Sequence, residues 1–210
     1  MTNLSRSLSL LARGALEASK KRRQISVFLK KQGFISLGKG GWLGFRNRDI
    51  VSGFVIEGSP LDTYISTFVL PAFDRHTFVS WCLGDRLVHC SFDRDSQEEC
   101  EQAVNSYAAD ISKIKSATEL AAHLDAGQIG GHYPIWVRFI CYLRRADIDS
   151  AIQYLTDGRR NEFPPSIIER AEEVSGFVTM RDTDGVARVL ESWSAFSEKI
   201  FGPLEQTFSA

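Results

Sequence analysis

Leu4, Leu8, Leu11, Ala15, Ala18, Ile25 and Leu29 recur at three- and four-residue spacings, with Lys and Arg between them, so residues 4–31 predict one long amphipathic helix. Gly14 weakens its first half by about 1 kcal/mol relative to alanine, which predicts a bend or break there. Gly33 is placed to end it. From Phe34 to Phe92 the period shortens, and runs rich in Phe, Val, Ile, Thr and Trp predict strands at Phe34–Leu37, Trp42–Arg46, Ile50–Glu57, Thr63–Leu70, Thr77–Leu83 and Arg86–Ser91. The gaps between them are turn-length, too short for the crossovers of a parallel sheet, so an antiparallel meander follows.

Beyond Phe92 the pattern becomes helical. Asp95 or Ser96 with Glu98 and Glu99, and Ser116 with Glu119, read as capping boxes ahead of apolar helical runs. Pro134 and Pro164–Pro165 suit first helical positions before Ile135–Leu143 and Ile167–Phe177. Further helices are expected at about 148–157 and 184–201. The expected fold is α+β: a long N-terminal helix packed on an antiparallel meander of five or six strands, then a helical C-terminal half. Residues 1–92 and 93–210 form its two regions, as two domains or one continuous globule.

Charge changes the picture. Residues 1–48 hold eleven Lys and Arg against the single acid Glu17, a balance of +10, whereas the rest of the chain holds 14 basic and 25 acidic side chains, a balance of −11. The formal charge of −1 conceals this opposition, which suggests contact of the basic end with an acidic partner, a nucleic acid, an anionic membrane or the chain's own other half, and suits the acidic carboxyl half to a basic partner. No apolar run approaches the length of about 18–20 residues needed to span a bilayer. The segment before Gln24 shares its Arg- and Ser-rich composition with transit peptides, but its apolar spacing continues into Phe28 and Leu29, so it is expected to belong to the fold. Cys82, Cys90, Cys100 and Cys141 form no CxxC pair, which predicts no disulfide framework and a reducing, cytoplasmic compartment.

Candidate chemistry is sparse. His76, Cys82, His89 and Cys90 are zinc-type ligands, but a hairpin turning at Leu83–Arg86 sets the two cysteines on opposite faces, so no metal is expected. The same register sets Ser80 opposite His89, with Asp93 or Asp74 to orient the ring, a hydrolase arrangement without a nucleophile elbow. The cluster Gly38-Lys39-Gly40-Gly41 precedes a strand rather than a helix and reads as a turn, not a phosphate loop. The basic patch of Lys20, Lys21, Arg22, Arg23, Lys30, Lys31 and Lys39 could track phosphates, with Trp42 and Phe45 as aromatic contacts. The alternative is a solvated helix back with both aromatics in the core.

Two later segments, Tyr142–Leu155 and Phe177–Leu190, align without gaps at an offset of 35, each with an Asp-x-Asp ahead of an apolar helical start. They resemble tetratricopeptide-type hairpins in period. The stretch Phe28-Leu-Lys-Lys-Gln-Gly33-Phe34, followed by Trp42–Arg46, Ile50–Ile56 and Tyr64–Leu70, resembles an uncharacterised bacterial helix-plus-meander family. That resemblance implies a single-sheet α+β unit, some similar families lying beside toxin or defence genes. The expected function is a non-catalytic, cytoplasmic interaction protein of the immunity, adaptor or defence-accessory kind, with a protein partner and no cofactor. A nucleic-acid-binding regulator using the basic helix, and a small hydrolase around Ser80 and His89, are the alternatives.

Overall fold

A computed structural model describes residues 3–37, 41–58, 62–76, 83, 86–91, 97–127, 131–157 and 163–201, with the backbone alone at 3–12, 62, 86–91, 97 and 155–157. The predicted strand Thr77–Leu83, the Gly38–Gly40 turn and the caps Asp95 and Ser96 lie outside those residues, Leu83 apart.

Helix α1 (Asn3–Lys31) runs unbroken through Gly14, so the predicted break does not occur. Its Ala18, Ile25 and Leu29 are buried, Ile25 and Leu29 in one cluster with the sheet, and that packing offsets the glycine's propensity cost. It stops where Gly33 takes φ +94°, a left-handed turn that glycine adopts without strain. Phe34 N–H then reaches back to the Leu29 carbonyl at 3.1 Å.

The sheet follows as β1 (Ile35–Ser36), β2 (Trp42–Asn47), β3 (Ile50–Glu57), β4 (Asp62–Pro71) and β5 (Arg86–Ser91), antiparallel neighbours in chain order. Alternation along the strands sorts its two faces. Leu43, Phe45, Phe54, Ile56, Ile65 and Val69 face α1 and share a core with Ile25, Leu29 and Phe34. On the other face Trp42, Val51, Phe68 and Leu70 pack with Leu37 and Phe201. There Gly44 lies opposite Gly53, and Phe68 covers both so closely that a Cβ on Gly53 would stand 2.8 Å from its ring.

Six helices complete the described chain: α2 (Gln97–Ile111), α3 (Ala117–Ala126), α4 (His132–Arg144), α5 (Ile148–Asp157), α6 (Pro165–Thr179) and α7 (Thr183–Phe201). Ser116 caps α3, accepting from Glu119 N–H at 3.3 Å, while Glu119 returns to accept from Lys115 N–H at 2.8 Å. Pro165 opens α6 at its first position, but α4 starts earlier than Pro134, at His132. The α4–α5 and α6–α7 turns are built alike. Ala146 and Arg181 hold φ near +57° and +56°, Asp147 and Asp182 N–H reach Tyr142 and Phe177 carbonyls, and each Asp caps the next helix at Ser150 or Gly185. This is a likeness of two turns and does not by itself make a stacked repeat.

One hydrophobic cluster runs from Ile25 through Phe54 and Leu124 to Trp193, so the two charge-opposed regions share a core. Cys100 is disulfide-bonded, its partner's side chain lying outside the described residues, and Cys141 is a buried free thiol. The bond at Cys100 corrects the expectation that the cysteines stay reduced. Burial pushes the Cys141 thiol far up, which removes it from thiolate chemistry.

Candidate functional site

The buried stripe of α1 leaves the opposite side of the helix to solvent. At about 100° per residue, Arg13, Leu16, Lys20, Arg23, Val27, Lys30 and Lys31 gather on that side, and all are exposed, Leu16 to 68% and Val27 to 46%. Among the described residues, Lys20, Arg23, Lys30 and Lys31 enter no salt bridge. Lys21 and Arg22 stand at the flanks, half-buried, and each engages another group. Between α1 and α2 runs a groove of about 430 Å³, lined by Lys20, Arg23, Lys31 and Glu101 over Val27 and Phe28.

The aromatic residues proposed beside this patch are not there. Phe45 is 2% exposed and meets Phe34 edge-on at 5.2 Å, inside the core beneath α1. Trp42 is on the opposite face of the sheet, edge-on to Phe68 at 5.3 Å. Both belong to the packing of the sheet, so neither is available to stack on a base held by α1. Lys39 and Ser80 lie outside the described residues, as does the side chain of His89, whose backbone pairs with Tyr64. Asp93 lies outside the described residues too, and the Asp74 carboxylate bonds no histidine ring among the described residues. Among the described residues no group of His, Cys, Asp and Glu is placed to hold a metal, and no helix is long and apolar enough to cross a membrane.

Asp74 instead centres a buried junction that sequence reasoning missed. Its carboxylate, 0% exposed, accepts from Arg170 Nη1 at 2.6 Å and Arg75 N–H at 2.8 Å on one oxygen. The other oxygen accepts from Tyr133 Oη at 3.1 Å and Trp136 Nε1 at 3.2 Å. Ser197 Oγ donates to the Asp74 carbonyl at 2.5 Å and accepts from His76 N–H at 2.8 Å. The chain leaving β4 is thus tied to α4, α6 and α7 together. Arg170 also lies over the Trp136 ring at 5.2 Å, and Arg75 reaches Glu169 and Glu173. His76 Nε2 sits 2.8 Å from the Pro71 carbonyl, which can only accept, so this nitrogen carries the proton. Burial holds the His76 pKa below its ordinary value, Arg170 adding to the effect while Asp74 and the Pro71 bond oppose it. Every buried polar atom of the Asp74 carboxylate has a donor, as a structural clamp requires.

Elsewhere arginines are matched in the same way. Arg144 is bidentate to Asp49 at 2.9 and 3.1 Å, Arg138 meets Asp125 at 2.7 Å, Arg46 meets Glu198 at 2.7 Å and Arg181 meets Asp149 at 2.6 Å. Several acids of the C-terminal half are thus engaged within the molecule, while Glu98, Glu172 and Asp184 are exposed and enter no salt bridge among the described residues. Comparison of the chain with protein-family models, curated proteins and solved structures gave no match.

Proposed function

We propose that this chain is a non-catalytic interaction protein of the adaptor, immunity or accessory kind, binding an acidic protein partner through the outer face of α1. The observation that carries the reading is the set of exposed cations Lys20, Arg23, Lys30 and Lys31, without internal counter-ions among the described residues, interleaved with exposed Leu16 and Val27. A phosphate backbone would engage the cations alone. A protein surface engages the apolar side chains too, since covering them contributes about 25 cal/mol per Å². Of the aromatics that could stack on bases, Trp42 and Phe45 are elsewhere, and the one beside the cations is Phe28, half-buried at the floor of the groove with Val27. In the acidic half Asp49, Asp125, Asp149, Glu173 and Glu198 already hold arginines, which leaves exposed acids such as Glu98, Glu172 and Asp184, without a salt bridge among the described residues, as its docking candidates.

The test is a pull-down of the tagged chain from its native host at low salt, with and without nuclease, comparing wild type with K20E/R23E by mass spectrometry. The expected result is a stoichiometric protein that survives nuclease and is lost from the variant. Recovery of nucleic acid alone, released by nuclease, overturns the reading in favour of a nucleic-acid regulator. Undiminished recovery by the variant moves the contact off α1.

A further inference from the structure

The exposed residues of α1 are not scattered. Arg13, Leu16, Lys20, Arg23, Val27 and Lys30 succeed one another at spacings of three, four, three, four and three, and all six are exposed. That alternation has the spacing of a coiled-coil seam, with apolar residues at two of its six positions, Leu16 and Val27, and cations at the other four, where a and d are ordinarily apolar. Helix α1 therefore carries two seams. Ala18, Ile25 and Leu29 are turned inward, Ile25 and Leu29 into the core shared with the sheet, and the second seam faces solvent along about 26 Å of helix.

We infer that this outer seam is a coiled-coil docking face for an acidic amphipathic helix of the partner protein, an inference that rests on the function proposed above. Charge decides the occupant. A second copy of α1 laid parallel would set Arg13, Lys20, Arg23 and Lys30 each against itself. Laid antiparallel it would match Leu16 with Val27, but would oppose Arg13 to Lys30 and Lys20 to Arg23 in the neighbouring layers. Either pairing of identical helices brings cations together, so the partner helix must differ. It needs carboxylates opposite Arg13, Lys20, Arg23 and Lys30 and apolar residues opposite Leu16 and Val27. Lys and Arg are suited to such a line, because their hydrocarbon stems can be covered while their charged ends reach the rim. The groove beside the seam, with Val27 and Phe28 at its base, gives the flanking side chains of the incoming helix an apolar place to lie.

The probe is a fluorescent synthetic peptide of about four heptads whose seam carries Glu at the positions that fall opposite Arg13, Lys20, Arg23 and Lys30 and Leu at those opposite Leu16 and Val27. Its controls are a scrambled isomer of the same composition and a single-stranded oligonucleotide, each titrated against the full chain by anisotropy. The heptad peptide is expected to bind, the scrambled isomer at least about tenfold more weakly, and K20E/R23E and Val27→Asp each to weaken the peptide about tenfold or more. Circular dichroism of both variants should match wild type, since the substituted side chains are exposed. Absence of peptide binding, or equal binding of the scrambled isomer, overturns the helix-docking inference. The proposed function would then still stand if the host pull-down yields a protein that K20E/R23E loses. Binding of the oligonucleotide in preference to both peptides overturns the inference and the proposed function together.

Discussion

The outer face of α1 and the junction at Asp74 use the same kinds of side chain to opposite ends. On α1, Lys20, Arg23, Lys30 and Lys31 stand in solvent with no salt bridge among the described residues. At the junction, Arg170 is 7% exposed and meets a carboxylate that is 0% exposed, and Tyr133, Trp136 and the Arg75 N–H fill that carboxylate's remaining sites. A cation in water can be left alone because the solvent satisfies it. One that has left water needs a partner, and the partner must be held by the fold. The lesson is that a net charge of −1 is an uninformative sum here. What matters is which charges are matched inside the molecule and which are left for something else.

The comparison breaks most violently at Asp74. Asp74→Ala should cost about 3–5 kcal/mol, because it strands Arg170 without its counter-ion and leaves Tyr133 and Trp136 donors unmatched. Urea denaturation measures it, and a loss below about 1 kcal/mol would show that the junction does not hold the sheet to the helices. Reducing the bond at Cys100 should cost about 2–4 kcal/mol. Since Cys100 precedes Glu101 in the wall of the α1–α2 groove, a thermal melt with and without reductant also reports how firmly α2 is held.

Acidification should act on the junction and spare the outer face. His76 is held below its ordinary value of 6.5, chiefly by burial, so below that value the unfolded chain takes up a proton that the folded chain resists. The stability tied to His76 is thus present above 6.5 and declines as the pH drops from there toward the folded value. Melting temperatures across that range should fall in wild type and less in His76→Asn, and parallel slopes would remove His76 from the account. The smallest effect on stability is expected from K20E/R23E, within about 0.5 kcal/mol. The same variant should lose at least about tenfold in partner affinity, which sharpens the contrast between a charge that folds the protein and one that does not.

Much of this was legible along the chain because local rules set it. The Leu and Ala spacing marks α1, Gly33 ends it, Ser116 and Glu119 open α3, and the turns after α4 and α6 share their construction at the offset of 35 visible in the sequence. The basic patch was also legible as composition. Its inner and outer members were not separable, because whether Lys21 or Lys20 faces solvent depends on where the sheet lies. Trp42 and Phe45 show the same limit: three residues apart on one strand, they fall on opposite faces, a separation that places neither beside the exposed cations. The reduced state expected for the cysteines failed for a related reason, since spacing cannot reveal which thiols the fold brings together.

By itself, then, the sequence determined the described helices and strands to within a few residues, the Ser116 cap and the opposition of charge between its ends. Each of these is a matter of residues within a turn or two of one another, or of simple counting. Only the tertiary structure decided which charges are matched. Asp74 and Arg170 are 96 residues apart, and Ser197 is 121 residues beyond His76, so no local pattern could have announced their contact. Those pairings exist because packing the helices against the end of β4 buries polar groups that must then satisfy one another. Nothing buries the outer face of α1 among the described residues, so its cations remain available to a partner.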